Sequence, residues 1–211
     1  MDNLPALFGM LAALGVGVVS PGPSFVMVAR TAVAHSRIDG ICAALGMGLG
    51  GLAFAVAALL GLQGLMLAVP SFYVGLKVLG GLYLAYLGLC IWRSAKQPLG
   101  FGDQALSVGK STAGRSVARG LMTQLSNPKA AVVYASVFAA FLPAAPTPGF
   151  DLAVVALVFV VESSWYALVA IALSSQRPRG AYLSCKAWID RGAGGIMVAL
   201  GLKLLASAQR P

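Results

Sequence analysis

Six long apolar stretches, separated by short polar connections, make up most of this chain. They cover about residues 4–29, 40–68, 72–92, 117–142, 152–175 and 192–208. A membrane-spanning helix needs roughly 20 apolar residues to cross a hydrocarbon layer of about 30 Å. The pattern therefore predicts an all-α integral membrane protein with six transmembrane helices, built as a single transmembrane domain over residues 1–211.

Prolines interrupt the first and the fourth of these stretches. The first contains Ser20-Pro21-Gly22-Pro23, and the fourth contains Asn127-Pro128-Lys129. Proline removes a backbone donor and clashes with the carbonyl four residues back, so both helices are expected to break there. Inside a bilayer, broken backbone is tolerated only where protein or a water-filled cavity covers it. The paired breaks favour a transport site, and purely structural kinks are the alternative.

The basic residues indicate how the chain is oriented. Of the 15 Lys and Arg residues, most lie in the first, third and fifth connections, and the second and fourth connections hold none. Those in the three connections are Arg30 and Arg37; Arg93, Lys96, Lys110, Arg115 and Arg119; and Arg177, Arg179, Lys186 and Arg191. The positive-inside rule places these connections in the cytoplasm and both chain termini outside. Topology thus accounts for the net charge of +9, and nucleic acid is not an expected partner.

The two halves of the chain carry traces of a common repeat. Residues 80–89 in the third stretch resemble residues 194–202 in the sixth, allowing one gap. A linker rich in Gly, Ser and basic residues, at about 94–116, divides repeat one (about 1–93) from repeat two (about 117–211). Three spans in each half would invert the second repeat relative to the first. Inverted repeats with broken helices are a recurrent design of secondary transporters.

Glycines in the second and third stretches predict close helix packing. Gly46 and Gly50 have the small-xxx-small spacing that lets membrane helices approach each other. Gly80, Gly81 and Gly88 are expected to act in the same way. For the second stretch, room for a substrate is the alternative. For both stretches, the glycine faces could also be buried between the subunits of a homo-oligomer.

Two charged residues are expected near the middle of the membrane. Lys129 lies ten residues beyond Arg119, and Glu162 lies eleven beyond Asp151. Charges at this depth are costly and mark transport pathways, proton relays or paired partners. The opposite signs at matched depth predict a Lys129–Glu162 pair, for which a structural role is one alternative. In a transport role, Lys129 would bind a carboxylate, and Glu162 would carry a proton or meet an ammonium group.

The residue pattern does not favour metal, redox or nucleotide chemistry. Cys42, Cys90 and Cys185 are far apart, and no His, Cys and carboxylate cluster has metal-ligand spacing. Nothing resembles a phosphate-binding P-loop. We therefore expect no cofactor and no enzymatic activity. A non-catalytic membrane subunit and a thiol-redox membrane enzyme are the alternatives to a transporter.

A series of stretches, in order through nearly the whole chain, carries a family resemblance. They are Ser20-Pro21-Gly22-Pro23, residues 30–40 with His35 and Arg37, residues 76–88, Arg119-Gly120, Asn127-Pro128-Lys129, Phe141-Leu142-Pro143, Glu162 and residues 201–205. Together they resemble the lysine-exporter (LysE/RhtB-type) superfamily, and within it the RhtB-type branch of homoserine, threonine and neutral amino-acid effluxers.

The resemblance implies proton-driven export of amino acids across the bacterial inner membrane. Its implied partners are an amino-acid substrate, protons and the lipid bilayer, with no bound cofactor. The chain departs from the family in one place: some relatives carry a polar or acidic residue around the middle of the second span, where this chain has Gly48 to Ala53. The resemblance leaves the identity of the amino acid open.

Overall fold

The computed structural model describes residues 3–68, 70–97, 112–143 and 146–208, and its regular structure there is entirely helical. Eight helices follow one another in these ranges: α1 (Leu4–Val19), α2 (Pro23–Ala34), α3 (Arg37–Ala68), α4 (Pro70–Ser94), α5 (Ala113–Leu125), α6 (Pro128–Phe141), α7 (Pro148–Leu173) and α8 (Gln176–Ala208). The all-α prediction is confirmed. Residues 98–111, the larger part of the predicted linker, lie outside the described residues.

The first and fourth predicted spans are each divided into two helices. α1 and α2 meet at an angle of 57°, and α2 begins with Pro23 directly after Gly22. α5 ends at Leu125, and α6 begins with Pro128 after Asn127. Proline is well tolerated at these positions, because the first helical residue needs no backbone donor. The proline therefore starts the second half-helix in each pair.

Several helices are long and apolar enough to lie in a membrane. α3 over Arg37–Leu62 and the whole of α7 can each cross one, and the bent α1–α2 pair can form a third span. α6 is a shorter apolar helix. The described part of the chain thus holds two or three clear membrane spans, and the full count of six stays a prediction.

The last helix is longer than the sequence pattern predicted. The apolar stretch begins near residue 192, but α8 begins at Gln176 and runs for 33 residues. Residues 176–191, which the sequence predicted as the fifth connection, are therefore helical and form the first half of α8. Part of the reason is local, because Lys186 and Asp190 are four residues apart and form an ion pair along the helix.

α4 and α8 pack against each other through reciprocal glycine contacts. A Cβ built on Gly81 would lie 2.9 Å from the Gly201 carbonyl oxygen, and one on Gly201 would lie 2.5 Å from that of Gly81. Gly88 and Gly194 form the same arrangement, at 2.5 and 2.6 Å. The order of these contacts makes the two helices antiparallel. Only glycine allows backbones to approach this closely.

The other glycines predicted to pack helices also face helices of the same chain. A Cβ on Gly46 would collide with the Val117 carbonyl oxygen of α5, and one on Gly50 would lie 2.5 Å from the Gln124 Cβ. A Cβ on Gly80 would lie 2.9 Å from the Ser136 Oγ of α6. These faces are thus occupied within the bundle, and association into a homo-oligomer stays a prediction.

Replacing Gly46 by alanine should destabilise the bundle, because the new methyl group meets backbone that cannot rotate away. Overpacking of this kind costs about 2 kcal/mol, which corresponds to a fall in Tm of roughly 5 °C for a chain of this size. Thermal unfolding in detergent measures the effect. Gly61→Ala is the matched control on the same helix, since a Cβ there meets no described atom within 4 Å. Equal Tm values for the two variants would contradict the packing argument.

Apolar side chains form two buried clusters. One surrounds Phe138 and Met10, and the other surrounds Phe25 and Met47. A polar cavity borders both, because residues of each cluster line it. The two apolar clusters thus enclose the site described next.

Candidate functional site

The two helix breaks lie against each other. The Lys129 ammonium, at the start of α6, donates a hydrogen bond of 2.8 Å to the Ser20 carbonyl oxygen. The Asn127 Nδ2 donates to the Ser24 Oγ, also at 2.8 Å. Residues more than 100 positions apart in the chain are therefore joined at the point where each span is interrupted. The Ser20 carbonyl is an available acceptor because α1 ends at Val19.

The starts of α2 and α6 differ in how they are capped. The Asn127 Oδ1 accepts hydrogen bonds from the backbone N–H groups of Lys129 and Ala130, at 3.0 and 3.4 Å. Gly22, which precedes α2, has no side chain and makes no such cap. The first backbone N–H groups of α2 therefore lack a side-chain cap, and Gly22 and Ser24 line the cavity. A helix start of this kind favours an anionic group.

Glu162 lies deep inside the protein and is held by neutral donors. Its side chain is 2% exposed. The Gln124 Nε2 donates to both carboxylate oxygens, at 2.8 and 3.0 Å, and the Tyr134 hydroxyl donates to Oε1 at 2.9 Å. The Gln124 Oε1 in turn accepts from the Ser24 hydroxyl at 2.7 Å. A buried network of four side chains thus leads from Asn127 through Ser24 and Gln124 to Glu162.

These groups line a single small cavity with a volume of about 20 Å³. Its polar lining is Ser20, Gly22, Ser24, Gln124, Asn127, Lys129, Tyr134, Glu162 and Tyr166, and its apolar lining includes Leu14, Val18, Phe25 and Val133. A cavity of this size has room for about one water molecule. This conformation is therefore closed, and an amino acid could enter only after the surrounding side chains separate.

The structure brings most of the predicted site residues together. Ser20, Gly22, Asn127, Lys129 and Glu162 all line the cavity. Pro21, Pro23 and Pro128 are not among the lining residues, and they shape the breaks instead. The predicted Lys129–Glu162 pair is wrong for this conformation. Lys129 reaches across to the Ser20 carbonyl, whereas Glu162 is bound by Gln124 and Tyr134, so these two described side chains share a cavity without forming an ion pair.

Four polar residues of the cavity were absent from the predicted site: Ser24, Gln124, Tyr134 and Tyr166. Two of them carried a detectable signal, because Ser24 follows Pro23 and Gln124 lies three residues before Asn127, each within an apolar stretch. The two tyrosines gave no such signal. Tyrosine is common in apolar helices, and only the packing shows that Tyr134 bonds to Glu162.

The apolar middle of α3, where the chain departs from the resemblance, packs against the polar residues of α7. A Cβ on Gly51 would lie 2.6 Å from the Glu162 Oε2 and 2.8 Å from the Tyr134 hydroxyl. A Cβ on Gly48 would collide with the Ser163 hydroxyl. Any side chain at these positions would therefore displace Glu162 or its neighbours. The glycines of α3 create the space that the α7 carboxylate fills.

The cysteines take no part in this site. Cys42, Cys90 and Cys185 are free, and none lines the cavity. Among the described residues, the cavity therefore offers the chemistry of one ammonium, one carboxylate, and several hydroxyl and amide groups.

The chain is similar in sequence to known membrane proteins. A family model described as "LysE type translocator" matches residues 15–208. The chain is 33% identical to the threonine efflux protein of Escherichia coli strain K12, over 91% of this chain and 93% of that protein. It is 32% identical to the threonine efflux protein of Salmonella typhi over the same shares. It is also 29% identical to an uncharacterized membrane protein of Haemophilus influenzae, over 90% of each chain. No solved structure matches the chain.

Proposed function

The chain belongs to the LysE type translocator family, whose members are multi-pass membrane transporters and not enzymes, and from this premise we propose that it exports a small neutral amino acid in exchange for protons. Threonine and homoserine are the proposed substrates. The proposed location is the bacterial inner membrane, with the basic connections in the cytoplasm and both termini outside. The similarity to threonine efflux proteins supports both the direction and the substrate class.

One observation carries the proposal: two opposite charges line the same cavity, and neither neutralises the other. Lys129 is bound by a backbone carbonyl, and Glu162 is bound by neutral side chains. A buried charge without a partner of opposite sign is costly. An amino acid is a zwitterion and brings the two missing charges together. Its carboxylate would lie against Lys129, and its ammonium group against Glu162.

The surroundings of Lys129 favour a carboxylate. The start of α2 lacks a side-chain cap, and its backbone N–H groups adjoin the cavity. The Ser20 hydroxyl is buried and has no hydrogen-bond partner among the described residues. Both features offer donors in addition to the ammonium of Lys129. A carboxylate binding here would thus satisfy groups that the closed conformation leaves unfilled.

The remaining lining favours a neutral side chain. Apart from Lys129 and Glu162, the described cavity residues are uncharged. A lysine or glutamate substrate would bring a third charge with no partner there. Ser24, Gln124 and Asn127 supply hydroxyl and amide groups that suit the hydroxyl of threonine or homoserine. Burying a charged side chain without a partner is costly, so a site of this kind rejects substrates that carry one.

Proton coupling follows from the position of Glu162. Its buried carboxylate can be neutralised by a proton or by the ammonium group of the substrate, and the two compete for one site. Outward movement with the amino acid bound would then alternate with inward movement with the proton bound. This exchange amounts to proton antiport.

The proposed architecture is six spans in two inverted repeats. α4 and α8 make two close glycine contacts, Gly81–Gly201 and Gly88–Gly194. If Gly81 is equivalent to Gly194 and Gly88 to Gly201, each of these contacts becomes the other when the two repeats are interchanged. A two-fold relation between the repeats produces this reciprocity. The broken pairs α1–α2 and α5–α6 would then be equivalent elements. Breaks in equivalent helices that meet at the centre suit alternating access.

Transport in proteoliposomes tests the proposed function. Vesicles with an acidic interior should accumulate radiolabelled L-threonine from outside, because protons leave as threonine enters. The accumulation should disappear when a protonophore is added, and protein-free vesicles serve as the control. Absence of gradient-driven flux for threonine, homoserine and every other neutral amino acid would refute the proposal.

A further inference from the structure

A second group of buried polar side chains lies on α8, outside the central cavity. Tyr182, Lys186 and Asp190 are spaced four residues apart and so lie on one face of the helix. Lys186 is 8% exposed and Asp190 is 3% exposed. The sequence placed this segment in a basic connection, where charged side chains face water. Their burial therefore needs a separate explanation.

This group adjoins the central cavity through two aromatic rings. The Tyr182 ring stacks on that of Phe25, with centroids 5.0 Å apart and planes inclined by 24°. Phe25 is 1% exposed and lines the cavity. The Phe25–Tyr182 stack thus connects the wall of the cavity to the face of α8 that carries Lys186 and Asp190.

A structural ion pair explains only part of this group. The Lys186 ammonium donates to the Asp190 Oδ2 at 2.7 Å and to the Ala95 carbonyl at the end of α4 at 3.2 Å. The Asp190 Oδ1 and the Tyr182 hydroxyl are buried and have no hydrogen-bond partner within the described residues. Unfilled buried groups cost stability. Within the described part of the chain, the Asp190 Oδ1 and the Tyr182 hydroxyl therefore contribute no hydrogen bond to the stability of this fold and are free to bind a ligand.

We propose that Tyr182, Lys186 and Asp190 form a loading site for the zwitterionic part of the amino acid, on the cytoplasmic side of the central cavity. The Asp190 Oδ1 receives the ammonium group, and the carboxylate meets the Lys186 ammonium and the Tyr182 hydroxyl. The Phe25–Tyr182 stack is the inner gate between this site and the cavity. The inference rests on the proposed function, and it adds a binding step before the substrate reaches Lys129 and Glu162.

The loading site solves a problem of solvation. A zwitterion that enters the protein loses water from both charged groups and needs partners at each depth. The buried ion pair can open to supply one partner of each sign, so the total charge of the site stays balanced. Separation of the aromatic rings would then let the amino acid move towards Lys129.

Tyr182→Phe tests the loading site in the reconstituted full-length protein. The variant keeps the ring stack and removes a hydroxyl that contributes no hydrogen bond to the closed fold. The KM for radiolabelled L-threonine at the cytoplasmic face should rise about 10-fold, since a hydrogen bond to a charged group is lost. The KM measured from the opposite face should stay within a factor of two, roughly the scatter expected when no contact is lost. Tm should be unchanged or slightly higher.

Two further variants complete the test. Asp190→Asn keeps the size of the side chain and should raise the cytoplasmic KM at least as much. Ser184→Ala is the control, because Ser184 is exposed on the same helix. Its hydroxyl contacts only near neighbours in the described chain: it donates to the Ala181 carbonyl and lies near the Cys185 sulfur. A wild-type cytoplasmic KM in Tyr182→Phe, or an equal rise at both faces, would overturn the loading site. Wild-type protein without gradient-driven flux of threonine, homoserine or any other neutral amino acid would instead refute the proposed function itself.

Discussion

Replacing Lys129 by methionine is expected to reduce kcat/KM for threonine export about 100-fold, because the substrate carboxylate loses the one cationic partner that the described cavity residues offer. Methionine keeps an unbranched apolar chain of similar length, so the packing of the stem near Gly22 is retained. The measurement is initial threonine flux in proteoliposomes over a range of substrate concentrations. The loss should appear mainly in KM if Lys129 binds the substrate before movement begins.

Lys203→Met is the matched control for this substitution. Lys203 is exposed near the end of α8, with its ammonium over the Phe141 ring at 5.1 Å. Its replacement should change flux by less than about a factor of three, since an exposed cation–π contact contributes only about 0.5–1 kcal/mol. If Lys129→Met transports threonine with the wild-type KM, Lys129 does not bind the carboxylate. If Tm falls sharply in Lys129→Met while the KM is kept, the Lys129–Ser20 contact is structural.

Replacing Glu162 by glutamine should abolish proton coupling while leaving the fold intact. The amide oxygen can still accept from Tyr134 or Gln124, which preserves much of the hydrogen-bond network. The amide cannot take up a proton, so a pH gradient should no longer accelerate flux. Tm should be unchanged or higher, because a buried carboxylate without a counter-charge has been removed.

The pH-gradient response separates the roles of Glu162. Threonine uptake is compared in vesicles with and without an acidic interior, and the ratio of the two rates should fall to about one in Glu162→Gln if coupling is lost. Asp151→Asn makes the same change from carboxylate to amide in the first turn of α7, and should keep the wild-type ratio. Export by Glu162→Gln that still responds fully to the gradient would remove Glu162 from the coupling mechanism.

The sequence correctly predicted the helical class and the two helix breaks, but not the residues that the breaks contact. The breaks at Ser20–Pro23 and Asn127–Lys129 follow from proline chemistry, which acts within one helical turn. The contact that joins them runs from the Lys129 ammonium to a backbone carbonyl. Every residue has such a carbonyl, so the sequence carries no mark of which one is used. The predicted pairing of Lys129 with Glu162 was wrong because the sequence indicates the charges and the expected depth of the two side chains, but not the direction in which each side chain points.

The length of α8 illustrates the same limit. Hydropathy ends the predicted span where charged residues begin, near residue 192. The structure continues the helix through Lys186 and Asp190, because each charge there finds a partner and the α4 carbonyl at Ala95 binds the ammonium. A hydropathy scale treats every charged residue as exposed to water, because it contains no information about a partner elsewhere in the fold. The loading site proposed above was therefore invisible in the sequence.

The sequence by itself determined the membrane environment, the helical class, the two breaks and the charges that stand beside them. These properties depend on local chemistry: the length of an apolar stretch, the missing donor of proline, and the cost of a buried charge. Only the tertiary structure decided that the breaks meet, that Glu162 bonds to Gln124 and Tyr134, and that α3 makes room for it through Gly51. Those contacts join residues far apart in the chain, and their free energy depends on packing geometry that no local pattern records.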